Sequence, residues 1–208
     1  MRFTLLFLGL LTATVSTGCI RSYNTTPLSI VNLDSTLTTA NGLELRTKAF
    51  VTPAEIYDKF GVQLAGDSMV IPVQVLVTNQ GLAPYRVLRN SFVLEATDQK
   101  IRLAALNFDE MYRVGSLDYT GPILGVLFGG PLGLPSLWTT LYANDKLHDD
   151  YERKIFRDSF LAPGESARGV LFFDLRGRDL SRHDKYRLLV EFENMETHAK
   201  TVARQALY

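Results

Sequence analysis

The chain has almost no cysteine and little histidine. Its 208 residues include one cysteine, Cys19, and three histidines. A single cysteine excludes an intrachain disulfide and the cysteine sets that hold structural zinc. His148, His183 and His198 are isolated in the sequence, and none has the spacing typical of paired metal ligands. We therefore expect no metal site and no cofactor.

An excess of charge of either sign is also missing. Lys and Arg total 22, Asp and Glu total 22, and no basic stripe stands out. Nucleic-acid binding depends on clustered positive charge, so the composition gives it no electrostatic support.

Recognisable catalytic motifs are absent as well. Asp149 and Asp150 form an acidic pair, but adjacent residues on a helix point to different sides, which favours a solvated helix turn. Glu165 and Ser166 follow Pro163-Gly164 without a nucleophile elbow, and this pattern indicates a turn. The sequence therefore predicts a protein that is not an enzyme.

What the chain does have is an N-terminal export pattern. Arg2 precedes the apolar run Phe3–Val15, which is followed by Ser16-Thr17-Gly18 and then by Cys19. A basic start, a short apolar centre and a small-residue exit are typical of a secretory signal peptide. The run is shorter than the ~20 apolar residues that a membrane-spanning helix needs. We predict a signal peptide over residues 1–18; removing it leaves 190 residues and, since Arg2 is its one charge, a formal charge of −1.

The sequence Thr17-Gly18-Cys19 resembles the lipobox of bacterial lipoproteins, in which the cysteine is acylated and becomes the new N-terminus. The resemblance implies lipidation of Cys19, with fatty-acyl chains such as palmitate, and a periplasm-facing location in the cell envelope. If the host is a Gram-negative bacterium, the resemblance also implies sorting to the outer membrane, because Ile20 rather than Asp follows the cysteine. The alternative is an ordinary signal peptide that leaves an unpaired thiol. A lone cysteine in an oxidising compartment favours the anchor, because it has no partner within the chain.

The mature chain is predicted to be mainly β. Residues 19–40 are rich in Ser, Thr and Asn and indicate a lipidated tether, with an edge strand possible at Leu28–Leu33, and residues 41–208 indicate one β domain. Met69–Thr78 is the strongest strand, and Pro72 places its start at a sheet edge or a bulge. Ala167–Leu175 is apolar on both faces, which predicts a central or covered strand. Further strands are predicted at Leu43–Lys48, Ser91–Ala96, Ile101–Leu106, Tyr186–Glu193 and Thr197–Gln205.

Two helices have clear local signals. Thr52 as N-cap, Pro53 at the first helical position and Gly61 as the stop predict a helix over Pro53–Phe60. Ile56, Tyr57 and Phe60 are expected to face the core. A second helix is predicted over Asp145–Asp158 with Asn144 as its cap, and Leu147, Tyr151 and Ile155 form its apolar stripe.

The order of strands and turns carries a second resemblance. A Val-rich strand ends in Asn79-Gln80-Gly81 before a Phe-containing strand, over Met69–Leu106, and a similar pattern returns at Phe160–Asn194. This succession resembles the Ig-like β-sandwich modules of bacterial envelope lipoproteins. It implies an Ig-like antiparallel β-sandwich, with an apolar and helical insert at about 107–158 and two or three short helices.

The insert contains 26 consecutive uncharged residues, Tyr119–Asn144. Small residues repeat there at every fourth position, a pattern also found in membrane helices: Gly121, Gly125, Gly129 and Gly133. Pro131 and Pro135 argue against one spanning helix, because each costs ~3 kcal/mol in a helix interior. We predict a hairpin with the arms Ile123–Phe128 and Leu134–Tyr142. A loop that enters the bilayer or meets a partner, and a true span, are alternatives.

The sequence-based hypothesis is a lipid-anchored, non-enzymatic envelope protein that binds another envelope component. The insert 119–143 is the expected contact surface for a membrane or a partner, through its four glycines together with Trp138 and Tyr142. The alternative is a carrier of lipid or another small molecule, with the insert covering an apolar cavity. A hydrolase with an unfamiliar site is a third possibility.

Overall fold

The computed structural model describes residues 25–28, 33, 35–39, 41–61, 70–96, 101–116, 134–175 and 185–207. Among these, residues 134–145 form one unit and all the others form a second unit. The predicted signal peptide, Cys19 and the hairpin arm Ile123–Phe128 lie outside the described residues.

The second unit is built from two antiparallel β-sheets that pack face to face. One sheet has the strand order β1-β2-β3-β7, and the other has the order β5-β4-β8-β9, with β6 also paired to β4. A single hydrophobic cluster takes side chains from both sheets, so the prediction of a mainly β sandwich is confirmed. The strands are β1 (Ser35–Thr38), β2 (Leu43–Ala49), β3 (Val70–Asn79), β4 (Tyr85–Ala96), β5 (Ile101–Ala104), β6 (Ser159–Leu161), β7 (Ser166–Asp174), β8 (Tyr186–Asn194) and β9 (Lys200–Ala206).

Strand β3 is the centre of the first sheet. Val73, Val75 and Val77 are fully buried in the cluster between the sheets, as their alternation predicts. Pro72 does not lie at a sheet edge. It lies where the ladder with β2 ends, one residue beyond the pair Ala49–Val73, and its carbonyl accepts from Phe50 N at 2.9 Å. Because the ladder with β2 has ended at this position, the missing N–H of Pro72 removes no hydrogen bond from it.

Strand β7 is covered on both faces, as its composition predicts. Leu171 and Phe173 belong to the cluster between the sheets, whereas Val170 and Phe172 are buried on the opposite face. Phe172 packs edge-on against Phe60 of the first helix, with ring centroids 5.4 Å apart.

Two strands occur where the sequence predicted none. Strand β1 lies within the stretch assigned to the tether and pairs with β2 from Ser35–Thr47 to Thr38–Glu44. Strand β6 is three residues long and pairs with the first residues of β4, which itself begins at Tyr85 rather than near Ser91. Both are short, and short strands depend on their pairing partners more than on their own sequence.

The described residues contain three helices: α1 (Pro53–Phe60), α2 (Phe108–Gly115) and α3 (Leu134–Lys154). Helix α1 has the predicted bounds, because Thr52 Oγ1 accepts from Glu55 N and Gly61 takes a left-handed conformation with φ of 69°. Ile56 and Phe60 are buried as expected. The prediction for Tyr57 is wrong, since it is 50% exposed: an eight-residue helix buries one narrow stripe, and Tyr57 lies outside it.

Helix α3 corrects the predicted hairpin arm Leu134–Tyr142 and the predicted cap at Asn144. The arm and the following helix are one continuous helix, and Asn144 is buried inside it. Pro135 falls in its first turn, where a missing N–H breaks no helical hydrogen bond. The helix ends at Lys154 instead of Asp158, because Ile155 forms a bridge with Val170 of β7.

Candidate functional site

The first half of α3 presents an exposed apolar face. Trp138, Leu141 and Tyr142 are 69%, 40% and 62% exposed, and their spacing places them on one side of the helix. Trp138 and Tyr142 are the two sequence-predicted contact residues that the structure describes. The four predicted glycines, Gly121, Gly125, Gly129 and Gly133, lie outside the described residues. In the described part of the chain, no helix is both long and apolar enough to cross a membrane.

The second half of α3 belongs to an aromatic cluster in the second unit. Tyr151 packs against Phe60 of α1 and Phe172 of β7, at centroid distances of 6.3 and 5.7 Å. The Tyr151 side chain is fully buried, and its hydroxyl has no hydrogen-bond partner among the described residues. Burial, with a smaller contribution from the charge of Asp150, raises the pKa of this hydroxyl above its usual value.

Beside this cluster lies a largely buried ion pair. Lys154 Nζ is 2.5 Å from Asp150 Oδ2, and it also donates to the carbonyl oxygen of Lys59 at the end of α1. Burial lowers the pKa of Lys154, and the contact with Asp150 offsets this only in part. The pair therefore joins the end of α3 to the end of α1. The i,i+4 spacing of Asp150 and Lys154 can be read along the chain, but the burial of the pair cannot.

Thr25 and Thr26 of the N-terminal segment also bind at the ends of α1 and α3. We call these two residues the clasp. Thr26 N donates to the carbonyl oxygen of Asp58 at 2.9 Å, and Thr26 Oγ1 donates to Asp58 Oδ2 at 2.7 Å. The Lys59 ammonium donates to Thr26 Oγ1. The hydrogen bond from Thr26 is the main cause that lowers the pKa of Asp58, followed by the one from Lys59.

Thr25 completes the clasp on the α3 side. Its hydroxyl oxygen is 3.3 Å from Lys154 Nζ and 3.3 Å from Asp150 Oδ2. Both helices therefore hold the clasp, although the sequence predicted a tether here. No local pattern signals this contact, because Thr25 and Asp150 are 125 residues apart.

A cleft rich in arginine lies between β6 and β7. It has a volume of about 570 Å³. Arg157 donates to the carbonyl oxygen of Glu152 at 3.0 Å, while Arg153 and Arg168 form no ion pair within the described residues. The carboxylate of Glu165 accepts from Ala162 N at 2.9 Å. Its lining consists of Arg153, Ile155, Arg157, Ser159, Phe160, Leu161, Glu165, Ser166, Ala167 and Arg168. Unpaired guanidinium groups are suited to bind a carboxylate or a phosphate.

The two histidines that the structure describes contact neighbouring side chains. The His148 ring packs edge-on against the rings of Phe108 and Tyr112 of α2, at 4.8 and 5.3 Å. His198 lies in the turn between β8 and β9, with Nδ1 3.2 Å from Glu193 Oε1. Within the described residues, no group of three or more His, Cys, Asp and Glu side chains is placed to hold a metal ion. His183 lies outside the described residues.

Comparisons with known proteins give a low level of similarity. No family model and no curated protein sequence matches the chain. Among solved structures, the chain is similar to the candidate lipoprotein YcdA of Bacillus subtilis, with a TM-score of 0.40 and 14% identity over 82% of this chain and 38% of that one. It is also similar to a protein of unknown function from Listeria monocytogenes, with a TM-score of 0.34 and 9% identity over 83% and 80% of the two chains. The chain thus spans about 38% of the length of the Bacillus protein.

Proposed function

We propose that this chain is a lipid-anchored, non-enzymatic protein of the bacterial cell envelope that binds another envelope protein. The leader over residues 1–18 and the single cysteine after Thr17-Gly18 support the anchor. Acylation at Cys19 tethers the β domain to the membrane in a periplasm-facing position, and in a Gram-negative host Ile20 after the cysteine supports the outer membrane.

One observation carries the binding role: the exposed face of Trp138, Leu141 and Tyr142. The exposed fractions of these side chains, 69%, 40% and 62%, leave a large apolar area in contact with water. Exposed apolar faces of this kind are typical of contact surfaces. Tryptophan and tyrosine are also enriched where proteins bind one another. We therefore assign the partner contact to segment 119–143, with this face of α3 as its described part.

The strand order supports an Ig-like assignment for the sandwich. Read as A-B-E, the strands β2-β3-β7 face β5-β4-β8-β9, which then correspond to C′-C-F-G. Ig-like domains place A, B and E in one sheet and C, F and G in the other. In this scheme α3 lies in the connection between C′ and E.

The alternative function, a lipid carrier, requires a cavity between the sheets. In the described part of that interface, large buried side chains such as Phe92, Phe173 and Phe192 occupy the space. This packing favours the binding protein over the carrier.

Photo-crosslinking in intact cells tests the proposal. A photoreactive phenylalanine analogue replaces Trp138 in the anchored chain, and the control carries it at Leu82, which is apolar, 95% exposed and in the other unit. We expect a discrete protein adduct from position 138 and none from position 82. A Cys19→Ser version should lose the acyl mass, leave the membrane fraction and lose most of the adduct.

Other outcomes contradict the proposal in different ways. Adducts to lipid alone at position 138 would replace the protein partner with the bilayer. Equal adducts at both positions would remove the assignment of the contact to α3. Unchanged mass and membrane retention of Cys19→Ser would remove the lipid anchor.

A further inference from the structure

The clasp limits how far the β domain can be from its anchor. Thr26 is bound by three hydrogen bonds to Asp58 and Lys59, and Thr25 contacts Lys154 and Asp150. Thr25 is six residue steps along the chain from Cys19. A fully extended chain of that length reaches about 20 Å.

Without the clasp, the first residue held by the sheet would be Ser35 of β1. The sixteen residues from Cys19 to Ser35 reach about 55 Å when fully extended, which would let the domain turn freely above a membrane. The clasp shortens this reach by more than half. It also fixes the exit point of the tether at the ends of α1 and α3.

We infer that the clasp turns one end of the sandwich toward the lipid leaflet, so that this end lies against the membrane. We call it the α1 end, because it is the end at which Asp58 and Lys59 of α1 bind the clasp. The inference rests on the proposed acylation of Cys19. The occupant of the face is the leaflet itself, because a tether of at most about 20 Å leaves little room for another protein between them.

The side chains on this face agree with a lipid neighbour. Tyr57 is 50% exposed on α1, directly before the clasped Asp58, and no role in the core accounts for its ring. Tyrosine is favoured at the membrane interface, where its ring meets the headgroups and its hydroxyl stays in water. Lys59 binds the clasp itself, since its ammonium donates to Thr26 Oγ1 and lies 3.0 Å from Asp58 Oδ2.

The opposite end of the sandwich then faces away from the leaflet. Strand β3 begins beside the α1 end and is ten residues long, so its far end is about 30 Å away. Leu82 follows it in an exposed turn. Ser166 of the arginine cleft pairs with Thr78 near that far end, whereas Arg153 and Ile155 of the same cleft flank Lys154, which contacts the clasp.

Fluorescence quenching by labelled lipid tests this orientation. The full chain, purified from membranes, carries Tyr57→Cys or Leu82→Cys with a thiol-reactive fluorophore and is reconstituted in phosphatidylcholine vesicles that contain spin-labelled lipid. Acylation of Cys19 leaves the introduced cysteine as the one free thiol. We expect several-fold stronger quenching at position 57 than at position 82.

A clasp variant separates orientation from simple anchoring. Thr25→Val with Thr26→Val removes both hydroxyls at nearly constant shape, and we expect quenching at position 57 to fall toward that at position 82. Thr78→Val, which removes a hydroxyl bonded to Ser166 at the far end, should leave the difference intact. Circular dichroism confirms that each variant keeps its sheet content.

Each unfavourable result of the quenching experiment has a different consequence. A chain with unmodified mass that does not bind the vesicles overturns the proposed anchor and the orientation together. A chain that carries the acyl mass and binds, but is quenched equally at positions 57 and 82, overturns the orientation alone. A difference that survives loss of both clasp hydroxyls overturns their role in the orientation, since the variant retains only the hydrogen bond from Thr26 N to the carbonyl oxygen of Asp58.

Discussion

Tyr151 is a buried residue whose hydroxyl has no hydrogen-bond partner in the part of the chain that the structure describes. Its ring contributes to the cluster with Phe60 and Phe172, but an unpaired buried hydroxyl destabilises a fold by about 1–3 kcal/mol. We expect Tyr151→Phe to raise the free energy of unfolding by about 1 kcal/mol, since it keeps the ring and removes the hydroxyl. Urea unfolding followed by circular dichroism measures the change.

The pH dependence provides the control for this prediction. Because burial raises the folded-state pKa of Tyr151 above 10.0, the hydroxyl stays protonated in the folded chain while the unfolded chain loses its proton near pH 10. The resulting stability is fully present below pH 10 and is lost as the pH rises beyond it. Tyr151→Phe should remove this loss. If the variant is less stable at pH 7, the hydroxyl has a partner, such as a buried water, that stabilises it.

Residue types alone predicted part of this region. The stripe Leu147, Tyr151 and Ile155 was predicted correctly, because apolar residues at helical spacing usually face a core. The burial of Lys154 was not predictable, because its partners Lys59 and Thr25 come from distant parts of the chain. A lysine on a helix is normally solvated, and tertiary contacts decide the exceptions.

At the scale of elements, α1 and α3 differ in what determines their ends. Local chemistry stops α1, since Gly61 takes a left-handed conformation that other residues adopt at a cost. A tertiary contact stops α3, since Phe156 N donates to the carbonyl oxygen of Val170 at 2.9 Å. For this reason the bounds of α1 could be predicted from the sequence and those of α3 could not.

Gly169 makes this contact between β7 and the end of α3 possible. A Cβ at position 169 would lie 2.4 Å from Phe156 Cα and 2.6 Å from Phe156 N, both backbone atoms that cannot move aside cheaply. We expect Gly169→Ala to destabilise the fold by about 3 kcal/mol through overpacking. Amide hydrogen exchange at Phe156 should increase along with the loss of stability in urea.

Gly164→Ala serves as the matched control. Gly164 has φ of 84°, but a Cβ added there would meet nothing within 4 Å, so alanine adds backbone strain of about 1 kcal/mol without a clash. Equal losses from the two substitutions would mean that the close approach of β7 to Phe156 is not what limits position 169.

At the scale of the whole molecule, Asn79 connects the two sheets. It ends β3 of the first sheet, is fully buried, and its Nδ2 donates to the carbonyl oxygens of Leu161 in β6 at 3.0 Å and of Ala83 at 2.8 Å. We expect Asn79→Asp to destabilise the fold at pH 7 by about 3 kcal/mol, because it points a carboxylate oxygen at two carbonyls. Urea unfolding at pH 7 and pH 4 measures this.

The pH comparison gives the sign. A carboxyl group facing carbonyl oxygens has a folded-state pKa above the unfolded value of about 3.9, so the penalty grows as the pH rises and is smaller at pH 4 than at pH 7. Asn90→Asp, at an exposed position in β4, should change little at either pH. A penalty at position 79 that is the same at both pH values would argue against the two carbonyl contacts.

Sequence patterns located most strands but not their partners. The alternation in β3 and β8 could be recognised because one face of each strand contributes to the hydrophobic cluster between the sheets, whereas β1 and β6 are too short to show a period. The pairing of β3 with β7, the position of the clasp and the arginine cleft each join distant parts of the chain, and a pattern read along one segment carries no information about them.

The pairing of β3 with β7 also determines when the molecule can become stable. Thr78 meets Ser166, 88 residues later, and Val70 meets Asp174, 104 residues later. Until residue 174 has been synthesised and is free to move, the most buried strand of the first sheet has one edge open. Closing so long a loop slows folding. Until the last third of the chain has been synthesised, the earlier strands therefore expose unpaired backbone groups. Chaperones and proteases can bind such exposed segments.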